Sequence, residues 1–198
     1  MVEDTKIRIL EAAYEEFALK GKDGARMQEI ADRAGINKAM LNYYFTSKDQ
    51  LYIEVIRRKL TDIIERVRSS LEGVVDAREF FRKFIGVSNR IANEKPQLVS
   101  LILHGYLNRE SEIRELFQEV GFRGQIRDTV QRFIDRGDLR INDTDQIIMH
   151  IISLNFHAYI LKPFYREFIP SARSDNFAES RIEAVIDLFE HGLFTDRA

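Results

Sequence analysis

The chain has 198 residues, 44% of them apolar, a formal charge of −2 and no cysteine. That is enough apolar material for one large domain, or a small domain joined to a larger one, to bury a core unaided. The missing thiols exclude a disulfide framework, thiolate zinc sites and cysteine nucleophiles.

The opening Met1-Val2-Glu3-Asp4 lacks the basic start and apolar stretch of a signal peptide, and no run approaches the roughly 18 apolar residues of a membrane span. A cytoplasmic protein with no membrane partner is expected. The near-neutral charge speaks against indiscriminate coating of nucleic acid, so any such contact must be local. Only three prolines and ten glycines interrupt the chain, and apolar residues recur at helical spacing, which predicts an all-α fold.

The first helix is predicted over about 4–20: Ile7, Leu10, Tyr14 and Phe17 share one face, Asp4 or Thr5 caps the start and Gly21 ends it. A short helix over 27–34 buries Ile30, Ala31 and Ala34, and Gly35 breaks it. A third, over 38–44, has Asn37 as its cap and turns Leu41 and Phe45 inward. Ser47-Lys48-Asp49-Gln50 reads as a capping box in which Ser47 and Gln50 satisfy each other's backbone donors. It opens a long helix over 48–71 with Leu51, Val55, Ile63, Val67 and Leu71 inward, and Gly73 and Asp76 mark a break. Further helices are predicted near 77–93, 96–107, 110–136, 143–162 and 175–191, the third bent or split by Gly121 and Gly124.

Residues 37–48 read NKAMLNYYFTSK, a basic and aromatic stretch without an acid in a chain that is 31% charged. A helix that reads base edges needs small or polar side chains at its outer N-terminal end, with hydroxyl or cationic groups beside it for phosphates. Lys38, Ala39, Met40 and Asn42 suit the first task, and Tyr43, Tyr44 and Lys48 the second. Lys48 also sits in the first turn of a helix, whose free amides and dipole attract phosphate.

From Ile7 to Leu51 the chain resembles the DNA-binding domain of the TetR (tetracycline-repressor) family of bacterial regulators. The resemblance lies in ILEAAYEEFALKG, in MQEIADRAGINKAMLNYYF and in SKDQL, spaced without insertion. It implies a three-helix helix-turn-helix domain at 1–47, a linking helix at 48–71 and a helical ligand-binding and dimerisation domain at 72–198. It further implies that Gln28 joins Lys38, Ala39, Met40, Asn42, Tyr43, Tyr44 and Lys48 in facing DNA. Met27 stands where the family commonly has a phosphate-binding threonine, and Arg26 beside it is the expected substitute. Asn42 stands where tyrosine is frequent, and can pair with an adenine edge.

The partners implied are double-stranded operator DNA, a second copy of the chain and a small-molecule effector, with no metal or other cofactor. Repression is the family's usual mode. Residues 147–161 are apolar nearly all round, so one side is expected in the core and another against a partner subunit, paired with a last-helix face of Ile182, Val185, Ile186 and Phe189.

Candidate effector contacts are Phe84, Ser88, Leu103, His104, Tyr106, Leu107, Phe122, Ile126 and Phe156, an apolar and aromatic set with a few polar groups. His150 and His157 are expected in packing or an interface, because zinc needs more ligands than two. No serine-histidine-aspartate set or phosphate-binding glycine loop points to catalysis. The alternatives are a constitutive or partner-controlled DNA-binding regulator without a small ligand, and an all-α ligand carrier or enzyme.

Overall fold

The structure, a computed structural model, describes residues 2–107 and 122–194, with residues 112, 115, 116 and 118 between them; the side chains of residues 2, 106, 107, 122 and 123 are not described. Ten α-helices make up the described residues: α1 Val2–Gly24, α2 Met27–Arg33, α3 Lys38–Tyr44, α4 Lys48–Leu71, α5 Ala77–Glu94, α6 Pro96–Leu107, α7 Phe122–Asp135, α8 Thr144–Ile160, α9 Lys162–Phe168 and α10 Phe177–Gly192. The expected all-α class holds. The only β feature among these residues is an isolated bridge between Leu139 and Phe194.

Two compact units divide the chain: Met1–Asp62 with Ser100–Leu116, and Ile63–Val99 with Phe117–Ala198. The division falls inside α4, and it assigns residues 100–116 to the first unit, where the sequence reading had a single body from 72 onward.

In the first unit, α1 is interrupted at Gly21, whose φ of 70° is open to glycine and strained for other residues. Below it, Ile9, Ala13 and Phe17 are fully buried with Ile30, Ala31 and Leu41. Each large apolar side chain so buried contributes about 1.5–3 kcal/mol relative to exposure. The inward stripe of α4 is wider than its spacing suggested: Leu51 and Val55 are joined by Tyr52, Ile56, Leu60 and Ile64, while Ile63 is only partly buried.

The second unit is built on α5. Phe80, Phe81, Phe84 and Ile85 pack with Val67, Ile126, Val130, Phe133, Ile147, Ile151, Val185 and Phe189 in one core. Asp76 caps α5 by accepting from the Glu79 amide at 2.8 Å. Asp143 caps α8, accepting from the Asp145 and Gln146 amides. Between 162 and 175, where no helix is predicted, lies the short α9, with Pro163 in its first turn, where its missing N–H costs nothing. A 3-10 turn at Pro170–Arg173 follows.

The last helix corrects an expectation. Ile182, Val185 and Phe189 are 7%, 1% and 6% exposed, so this face packs the unit's own core and is not open to a partner. Residues 147–161 do have two apolar sides, with Ile147 and Ile151 inward and Met149 and Ile152 about half exposed.

Candidate nucleic-acid interface

The α2–α3 pair is set by its turn. Gly35, at φ 66°, lets the chain reverse, its amide donates to the Asp32 carbonyl at 3.1 Å and the Ile36 amide donates to Ala31 at 3.0 Å, closing α2 with a left-handed glycine. Ala34 is buried at this corner. Asn37 Oδ1 then accepts from the Met40 amide at 2.8 Å and fixes the start of α3 as expected.

Leu41 and Phe45 are buried, so the opposite side of α3 is obliged to face out. Lys38, Ala39, Met40, Asn42 and Tyr43 are all exposed there, Tyr43 by 84%. Tyr44 is half-buried and meets the Tyr43 ring edge-on, with centroids 5.7 Å apart.

Arg26 and Gln28 lie at the exposed start of α2. Arg26 caps nothing with its side chain. The Gln28 amide donates to Asp32 Oδ1 at 2.8 Å, which orients it along the helix. The nine predicted residues therefore come from the start of α2, the length of α3 and the start of α4; seven are exposed, and Tyr44 and Lys48 are half-buried.

Lys48 has a structural task that the sequence did not reveal. Its Nζ donates to the carbonyl oxygens of Asp23 at 3.0 Å and Ala25 at 3.3 Å, the end of the α1–α2 connection. An ammonium carries three donors, so one is left for a phosphate. Lys22 pairs with Asp49 at 3.2 Å and lies over the Tyr52 ring at 5.1 Å, a second tie between the same segments. These ties hold the flanking turn to the start of α4.

The capping box is also modified. Ser47 Oγ accepts from the Gln50 amide at 3.0 Å as predicted, but Gln50 Oε1 accepts from the amide and hydroxyl of Thr46, at 2.9 and 3.0 Å, one residue earlier than the motif expects.

Charge pairs brace α1 against α2. Lys20 bridges Glu16 and Glu29 at 2.7 and 2.5 Å, and Arg33 reaches Glu15 and Glu16 at 2.9 and 3.5 Å. The Lys20 ammonium beside Glu29 is the main reason that its carboxyl is held below the usual glutamate range. Lys59, 6% exposed, pairs with Glu11 at 2.5 Å and sits over the Tyr14 ring, tying α4 to α1. Such long-range ties leave no periodic trace in a sequence, so sequence reasoning missed Lys22, Tyr52 and Lys59 as positioning residues.

Within the second unit, the candidate effector residues with described side chains do not all fall in one cluster. Phe84 and Ile126 belong to the core of the second unit, and Phe156 packs instead against a separate cluster of Ala92, Tyr159 and Ala178. Ser88 is buried. Leu103 and His104 are exposed and belong to the first unit. Tyr106, Leu107 and Phe122 have side chains outside the described residues.

A groove of about 470 Å³ in the second unit is lined by Glu65, Arg68, Leu71, Phe80, Ile126 and Arg132 among others, and shares only Ile126 with the predicted set. Among the described residues no histidine and carboxylate cluster could hold a metal. His150 and His157 are both exposed, His157 hydrogen-bonded to the Tyr165 hydroxyl at 3.1 Å. No single helix among those residues is long and apolar enough to cross a membrane.

Two short helices around a glycine corner, the second presenting a polar and aromatic outer face, define the helix-turn-helix class. Residues 9–55, which hold the helix-turn-helix, match the model of bacterial regulatory proteins of the tetR family.

Over 75 residues the chain is 40% identical to the HTH-type transcriptional activator FasR of Mycolicibacterium smegmatis, covering 38% of this chain and 34% of that protein. Over 77 residues it is 39% identical to the HTH-type transcriptional repressor SCO4008 of Streptomyces coelicolor, covering 37% of this chain and 40% of that one. The matches thus span about a third to two fifths of those relatives' length.

For the whole fold, a protein described as a transcriptional regulator from Saccharomonospora viridis, in complex with choline, superposes with a TM-score of 0.77 at 21% identity, covering 98% of this chain and 99% of that one. At that identity the likeness extends to the fold.

Proposed function

We propose that the protein is a ligand-responsive transcriptional regulator that binds a palindromic double-stranded operator as a homodimer, acts as a repressor and is released by a small apolar or aromatic effector. The observation that carries the reading is the outer face of α3: Lys38, Ala39, Met40, Asn42 and Tyr43 exposed together on a helix whose inner side, Leu41, is fully buried. A helix fixed from behind and exposed in front can enter a major groove with its first turn against base edges. Lys48 and Arg26 supply charge for backbone phosphates, and the Tyr43 and Tyr44 hydroxyls further phosphate contacts.

A dimer serves this function because two recognition helices about 34 Å apart meet successive major grooves on one face of the duplex. Its interface is assigned to the outer faces of α8 and α10, where Met149, Ile152 and Leu188 are 50%, 49% and 56% exposed, large apolar side chains that a partner's equivalents can cover. The effector acts by binding one of two shapes of the second unit better than the other. No catalytic role is assigned. The regulators FasR and SCO4008 are named an activator and a repressor, so the sign of regulation rests on the family's usual mode.

The test is binding of the purified protein to its own promoter DNA across a salt series. Tight binding that weakens steeply with salt and is lost in Tyr43→Ala supports the reading. Equal affinity for promoter and unrelated DNA, followed by failure to select any preferred sequence from genomic fragments, would refute it.

A further inference from the structure

The second unit buries polar atoms that it does not pair. Asn89 on α5 and Asn155 on α8 are both wholly buried, and the Asn89 amide donates to the Ile85 carbonyl at 2.9 Å and to Asn155 Oδ1 at 2.7 Å. This leaves Asn155 Nδ2 and Asn89 Oδ1 without partners. One turn further along α8, Tyr159 is 2% exposed and its hydroxyl has no partner. Arg181 comes in from α10: its Nη2 donates to the Leu154 carbonyl at 3.1 Å, while its Nε is buried and unpaired. Among the described residues no carboxylate forms an ion pair with this guanidinium.

We infer that α5, α8 and α10 enclose a carboxylate site, in which Asn155 Nδ2, the Tyr159 hydroxyl and Arg181 Nε donate to the head of a small organic acid. The inference rests on the effector-binding reading and names the chemistry of the effector. Three donors within about one turn of α8, one of them cationic, suit an anion. Burial raises the Tyr159 pKa to about 12, so its hydroxyl keeps its proton and donates. The acceptor Asn89 Oδ1 suits a hydroxyl on the same ligand.

Ala92, Val99, Phe156, Phe177 and Ala178 pack around Tyr159, an apolar and partly aromatic wall for the body of the acid. With one guanidinium and such a wall, a monoanionic carboxylate fits better than a phosphate dianion.

Each unpaired atom exposes less than 1 Å², so the seam is closed in this structure and leaves no water-sized space beside them. Apolar side chains of the same shape would pack here without unpaired polar atoms, and stability alone gives no reason for the polar set. A ligand that supplies the missing partners must part α8 from α5 and α10, and that separation is itself a change of shape able to carry a signal.

The experiment uses the full-length protein. Hexanoate and benzoate are titrated calorimetrically, with benzamide and inorganic phosphate as comparators, into wild type, Tyr159→Phe and Asn155→Leu, and each protein is also melted without ligand. A carboxylate is expected to bind wild type, to outcompete benzamide and phosphate, and to lose about tenfold or more in affinity in Tyr159→Phe, about 1.4 kcal/mol. Unliganded Tyr159→Phe should melt at or above the wild-type temperature, because it loses a buried hydroxyl that had no partner, whereas Asn155→Leu also takes away the acceptor of the Asn89 amide and should melt lower.

No carboxylate binding, binding that ignores both substitutions, equal binding of benzamide or phosphate, or a lower melting temperature in Tyr159→Phe overturns the carboxylate site. Operator binding measured on the same samples separates the cases: its survival while carboxylates fail leaves the regulator reading standing, and its absence removes that reading.

Discussion

The Tyr52 hydroxyl donates to the Leu101 carbonyl oxygen at 3.0 Å, in a buried position. The ring beneath it meets Phe17 edge-on with centroids 5.2 Å apart, so one side chain of α4 touches both α1 and α6 within the first unit. Tyr52→Phe keeps the ring contact and removes the bond, for an expected loss of about 1 kcal/mol in urea denaturation. Tyr52→Ala also opens a cavity and should cost about 3–5 kcal/mol. Equal stability of all three proteins would deny this tie.

Asn37 is the next test, because its side chain fixes the end of α3 that faces outward. Asn37→Ala should lower stability by about 1 kcal/mol and weaken operator binding beyond what unfolding explains. Asn37→Asp should recover most of the stability, since aspartate caps as well. An alanine variant with unchanged stability would mean that the cap is not formed in solution.

Much of this region was legible beforehand. Glycine at 35, a cap at 37 and apolar residues at 41 and 45 fix a helix end, a helix start and an inner face through local geometry alone, and α3 has the bounds predicted for it. Lys48 shows where that reading stops. Its place in the first turn of α4 was visible, but its bonds to Asp23 and Ala25 depend on the folded α1–α2 turn. Likewise Ile182, Val185 and Phe189 were correctly grouped on one face of α10, but spacing cannot say whether such a face meets its own core or a partner's. Asn89 and Asn155 look like ordinary polar residues in sequence, because only packing makes them buried.

The exposed apolar side chains left after that core is filled make a prediction about assembly. Ile152→Glu with Leu188→Glu should convert a dimer to monomers in sedimentation while leaving the helical content unchanged, because neither side chain is buried. Ile182→Glu should instead unfold the second unit, since it puts a charge into the core. A double variant that stays dimeric would move the interface elsewhere.

The Arg66 and Glu94 pair gives a pH dependence with a definite sign. Arg66 Nη1 lies 2.8 Å from a Glu94 carboxylate oxygen, and that bond holds the Glu94 carboxyl below the usual glutamate range. A lowered folded pKa means that the contribution is present above the unfolded value and is lost as pH falls through the folded one. Both side chains are more than two-fifths exposed, so the effect is small and screened by salt. The melting difference between wild type and Glu94→Gln should be present at pH 7 and shrink as pH falls below the ordinary glutamate range. A difference that grows on acidification would contradict the pairing.

The central claim is that the outer face of α3 reads DNA, and the most direct measurement compares wild type and Tyr43→Ala on promoter DNA over a salt series, with their melting curves alongside. Tyr43 is 84% exposed, so the substitution should leave stability within about 0.5 kcal/mol. Promoter affinity should fall by about 1–3 kcal/mol, roughly five- to 150-fold. Unchanged affinity and salt slope in Tyr43→Ala, with the protein fully folded, would contradict the account.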